Sequence, residues 1–159
     1  MQIVHRAVAT LTVAAAALIG ASRAVAHATP APRAHHRLRH HAPRSVWDSV
    51  FTAEQAKRGE AVFRQSCLRC HKETLKGDGT SAPLAGKEFF SNWSGSSAFD
   101  LHDRVLTTMP SDSAGTLNRQ QVSDVVAYLF AFNGFPSGTA ELPADTAVLK
   151  DIRIESKKP

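Results

Sequence analysis

The stretch Ser66-Cys67-Leu68-Arg69-Cys70-His71-Lys72, SCLRCHK, holds the only two cysteines of the chain and places a histidine directly after the second. On a helix, positions i, i+3 and i+4 share a face. Cys67, Cys70 and His71 therefore present two sulfurs and an imidazole to one region. A disulfide between cysteines three apart would close only a trivial loop, so the pair is no staple for a small domain.

The pattern around this stretch is helical. The run AEQAKRGEAVFRQSCLRCH, residues 53–71, reads as one amphipathic helix with Ala56, Gly59, Phe63, Cys67 and Cys70 on a stripe. Thr52 is its expected N-cap, with Gln55 completing a capping box and Phe51 as a hydrophobic staple. A middle helix is expected after Ser97, with Asp100 as box partner, Leu101 and Val105 inward, and Met109-Pro110 as its stop. A third follows Asn118, answered by Gln121, with Val122, Val125, Val126, Leu129 and Phe130 as its apolar face and Asn133-Gly134 closing it.

Residues 76–97, rich in Gly, Ser and Pro, read as an irregular loop, and no run reads as a strand. The expected fold is all-α, with three to four short helices and long loops. So small a core calls for a further crosslink.

Residues 1–26 have the charged start, short apolar run and Ala24-Val25-Ala26 exit of a secretory signal peptide. Cleavage there would leave no stable membrane insertion. Residues 27–45, rich in His, Arg and Pro, lack the apolar surface to order themselves and read as a disordered linker. Its His35, His36, His40 and His41 are of a type that binds transition metals, though solvated charge is the plainer reading.

The net charge of +5 resides in this leader and linker: from Ser45 onward there are 13 Lys and Arg against 14 Asp and Glu. A nearly neutral body offers no basic face for nucleic acid. Residues 46–134 are the expected folded domain, and 135–159 a tail packed on it.

Three chemistries use this cysteine spacing. C-x-x-C-H is the attachment pattern of c-type haem, in which the thiols add to two vinyl groups and the imidazole reaches the iron. A redox dithiol sits at a helix start beside a sheet, whereas here the motif ends a long amphipathic stretch. Structural zinc needs four ligands, and outside the linker only His102 remains as a fourth. With a haem, Met109 is the sole methionine left once the leader is removed, and it stands at a helix exit where a core-filling residue is not expected. His71 and Met109 are thus the axial-ligand candidates. His102, beside Asp100 and Asp103 on an expected solvated face, is the competitor to Met109.

The segments GEAVFRQSCLRCH, APLAG, TTMP and VVAYLFAFNG, in this order, resemble the small class I c-type cytochromes over about 46–134. The resemblance implies that Gly59 and Phe63 cross the last helix near Tyr128 and Leu129. It also implies that the Pro83 carbonyl accepts a hydrogen bond from His71, that Leu84 lies against haem, and that Trp93 bonds a propionate. The tail, through NGFPSG and ELPAD, resembles single-haem cytochromes that accompany periplasmic quinoprotein dehydrogenases.

The expectation is therefore a periplasmic electron carrier with one covalent haem c, and not an enzyme. A dehydrogenase would be its donor and an oxidase or another cytochrome its acceptor. The alternatives are a haem-based ligand-binding or sensor module and a metal-binding protein acting through the linker histidines.

Overall fold

The computed structural model describes residues 44–159. The expected signal peptide, the linker histidines and Met1 lie outside the described residues. Among the described residues there are six helices, α1 Ala53–Ser66, α2 Leu68–His71, α3 Gly86–Trp93, α4 Ala98–Thr108, α5 Arg119–Phe132 and α6 Thr146–Lys150. A 3₁₀ turn, Val46–Asp48, precedes α1. The all-α expectation is met, with more helices than the three to four expected.

The strongest packing is between α1 and α5, and residue size explains it. A Cβ at Gly59 would stand 1.8 Å from the carbonyl oxygen of Asp124 and 2.9 Å from Tyr128 Cβ, so only glycine permits this crossing. One turn on, Phe63 fills the widening gap, its ring 5.2 Å from that of Tyr128. This is the small-against-large contact that the resemblance implies. Beside it, Arg58 holds the nearly buried Asp124 through two 3.1 Å bonds.

Both later capping boxes form. Ser97 and Asp100 exchange bonds at the start of α4, and Asn118 and Gln121 do so at α5. The box at α1 is only half made. Thr52 Oγ1 accepts from the Gln55 amide at 3.0 Å, but the Gln55 side chain turns inward. Fully buried, it donates to the Leu142 carbonyl at 2.9 Å and accepts from the Leu142 amide at 2.7 Å. Partners 87 residues away outcompete the local cap.

Three further expectations need correction. The first helix is not continuous: Cys67, at φ −124° and ψ −27°, divides α1 from the single turn α2. The 76–97 segment contains α3, whose Phe89 is fully buried and stacks edge-on with Phe90. Aromatic burial thereby overrides the Gly- and Ser-rich flanks.

Strands also exist, though very short. β1 Arg44–Ser45 pairs in parallel with β2 Ile152–Arg153. Around that pairing Trp47 Nε1 donates to the Glu155 carbonyl at 3.0 Å, and Ile152 and Ile154 are fully buried. Residues 142–154 supply four fully buried aliphatic side chains, Leu142, Leu149, Ile152 and Ile154. Each such burial is worth about 1.5–3 kcal/mol, so the C-terminal segment forms part of the core.

Candidate functional site

The motif is held from both sides by backbone hydrogen bonds. The Cys67 amide donates to Phe63 O at 2.8 Å, ending α1, while the amides of Cys70 and His71 donate to Cys67 O at 3.2 and 3.0 Å, forming α2. Lys72, at φ +60°, stops that turn. The chain then doubles back, and the Leu84 amide donates to the carbonyl of the buried Leu75 at 2.7 Å. This brings 82–84 alongside α2.

His71 is buried, and its Nδ1 lies 3.0 Å from the carbonyl oxygen of Ala82. A carbonyl only accepts, so Nδ1 carries the proton and Nε2 is left as a lone pair. That tautomer suits a metal-binding imidazole, with the second nitrogen fixing ring orientation. The acceptor is one residue before Pro83, whose carbonyl the resemblance implies. Pro83 still acts locally, since it has no amide to compete for nearby acceptors.

Cys67 and Cys70 are free, partly buried thiols. Burial, and secondarily the neighbouring Cys70, push the Cys67 thiol up to about 11. A redox dithiol needs the opposite shift. Zinc fares no better: among the described residues no group of three or more His, Cys, Asp or Glu side chains is arranged to hold a metal ion. A protonated thiol in apolar surroundings suits addition to a carbon–carbon double bond.

Met109 caps α4, its amide donating to Val105 O at 3.0 Å. It is partly buried against the core, as are Leu84 and Trp93. Three residues later Asp112 pairs with Arg69 of the motif, fastening the Met109 segment to α2. Trp93 ends α3, and its indole N–H makes no hydrogen bond among the described residues. An open cleft lined by Lys76, Lys87, Phe90 and Phe132 contains none of these residues.

His102 departs from the expected solvated face. It is fully buried, with Nε2 3.2 Å from Arg119 O. Asn133, read from sequence only as a helix end, also positions the 84–86 segment. It donates to Leu84 O at 3.0 Å and accepts from the Gly86 amide at 2.9 Å. Nothing in local sequence distinguishes this from ordinary C-capping.

Residues 54–129 match the family model described as cytochrome C oxidase, cbb3-type, subunit III. That match supports a c-type cytochrome domain. The match runs from the start of α1 almost to the end of α5 and includes the whole of SCLRCHK. No curated protein and no solved structure matches the chain.

A cytochrome c domain implies covalently bound haem c with iron, and the match supports an electron carrier. The residues present fit the group. Two free thiols stand three apart, the imidazole keeps Nε2 unpaired, and Leu84, Trp93 and Met109 bring apolar surface that the protein core leaves only partly covered.

Proposed function

We propose that the protein is a periplasmic electron carrier whose haem c is joined to Cys67 and Cys70 and ligated by His71 and Met109. The observation that carries this reading is the Ala82 carbonyl on His71 Nδ1, which leaves Nε2 as a free lone pair on the turn that follows Cys67 and bears Cys70. Each thiol would add across a vinyl group of the haem, its sulfur forming the carbon–sulfur bond and its hydrogen passing to the neighbouring carbon. No oxidant is required.

When bound, the haem supplies a one-electron ferrous–ferric couple. With His71 and Met109 both holding the iron, no position would be left open for a substrate, which favours a carrier over a sensor. A thioether ligand raises the potential relative to two histidines. Leu84, and Pro83 beside the Ala82 acceptor, would lie against the haem near His71, and the Trp93 indole N–H would be available to a propionate.

The tail segments NGFPSG and ELPAD support a dehydrogenase donor, specifically a quinoprotein. The matched family description, which names an oxidase subunit, supports an oxidase or another cytochrome as acceptor. Residues 1–26 direct export, and the 27–45 histidines serve as solvated charge.

The test is expression in a host with haem-ligation machinery. The mass should rise by one haem that acidified organic solvent does not extract. The ferric protein should show the weak far-red band of sulfur ligation, and Met109→Ala should remove it. Extractable pigment would refute the attachment, and a band that survives Met109→Ala would refute the sulfur ligand.

A further inference from the structure

His102 is the buried group that electron carriage leaves without a role. It lies in α4, and its Nε2–H donates to the carbonyl of Arg119, the first residue of α5. Nδ1 is left as a lone pair, buried and without a hydrogen-bond partner among the described residues.

The Nε2 bond spans a particular piece of chain. His102 and Arg119 bracket the segment that carries Met109, and most of that segment is weakly held. Residues 111–116 are exposed. Their backbone bonds are local turns, Ser113 to Pro110 O at 2.9 Å and Thr116 to Ser113 O at 3.3 Å. The Arg69–Asp112 pair joins side chains that are 79% and 54% exposed, a class worth at most about 1 kcal/mol. At the base of the loop, the apolar Leu117 and the His102–Arg119 bond are buried.

We infer that His102 is a positioning residue for Met109: its Nε2–H, seated on the Arg119 carbonyl, fixes α4 against the start of α5, and a proton taken up at Nδ1 undoes that seat. The inference rests on Met109 being an iron ligand. An imidazolium here would present a second N–H at Nδ1, which has no hydrogen-bond partner among the described residues. The charged groups facing it are the Arg119 guanidinium, which opposes a positive ring, and Asp103, which favours one. Burial is the largest influence and holds the ring neutral to lower pH than an ordinary histidine, while the bond to the Arg119 carbonyl acts in the opposite direction. Once acid forces the proton on, the ring must reach water, and α4 must shift to allow it.

The test follows the far-red band and the potential of the haem-loaded wild type, His102→Gln and His102→Leu as pH is lowered. Glutamine can donate to the Arg119 carbonyl but does not titrate. It should keep the band at neutral pH and hold it at least about one pH unit further into acid than wild type. Leucine lacks the donor and should weaken the band or lower the potential already at neutral pH.

Loss of the band at the same pH in wild type and His102→Gln would overturn the inference, as would an unchanged band and potential in His102→Leu. A wild type with no far-red band at neutral pH would instead overturn the ligand assignment. Nitrogen NMR of the wild-type imidazole gives an independent check that needs no variant: His102 should be neutral with its proton on Nε2, and a proton on Nδ1 would refute the seat.

Discussion

Gly59 lies against the carbonyl of Asp124 so closely that a Cβ would stand 1.8 Å from that oxygen. The obstructing atom is backbone and cannot rotate away, so a methyl group there forces α1 and α5 apart. Gly59→Ala should destabilise the domain by about 3 kcal/mol or more, despite alanine's better helix propensity. Thermal or denaturant unfolding measures it, and a loss smaller than about 1 kcal/mol would contradict the crossing.

Gln55 shows a different dependence. Its amide closes two bonds with the Leu142 backbone in a fully buried setting. Gln55→Ala leaves both backbone groups unpaired and should cost about 2–4 kcal/mol. Hydrogen exchange should quicken at the Leu142 amide more than along α4.

The α4 cap sets a prediction in pH. Hydrogen bonds from the Ser97 amide and then its hydroxyl hold the Asp100 carboxyl below its usual value of 3.8. A depressed native pKa means that the unfolded chain binds the proton first. The stabilisation is therefore complete above about pH 4 and is lost as pH falls below it. Asp100→Asn should cost about 1 kcal/mol at pH 7 and progressively less in acid. A cost independent of pH would show that the charge has no part in the cap.

Cys67 and Cys70 are separable by substitution. Cys67→Ala should leave haem attached through one carbon–sulfur bond, visible as an unchanged mass increment with a red-shifted reduced pyridine spectrum. The double alanine variant should bind no haem that survives denaturation. Retention of covalent haem in the double variant would exclude these thiols as the attachment points.

Acid should also act through His102, independently of the iron. Its native pKa lies below the ordinary 6.5 because burial disfavours the charged ring. Stability should therefore be constant above about pH 6.5 and decline as pH falls below it, by at most about 1.4 kcal/mol per unit. His102→Gln should flatten that part of the profile, and unfolding curves at several pH values decide it.

What lay open in the sequence was local. Cys67, Cys70 and His71 announce their chemistry because three donors at helical spacing have few other uses. Ser97 with Asp100, and Asn118 with Gln121, set two helix starts because both partners of each cap lie within one turn. Gly59 and Phe63 were legible through the resemblance, since their packing depends on size more than on exact position.

Tertiary structure decided whatever depended on distant partners. Gln55 gives up its local cap for Leu142, and α3 forms because Phe89 finds a buried place. His102, read as solvated from its acidic neighbours, is buried against α5. The proton of His71 goes to Ala82 rather than Pro83 because the chain's return path sets which carbonyl faces the ring. Each choice is a competition between a nearby group and one far along the chain, and only the folded backbone brings the distant competitor within hydrogen-bonding range.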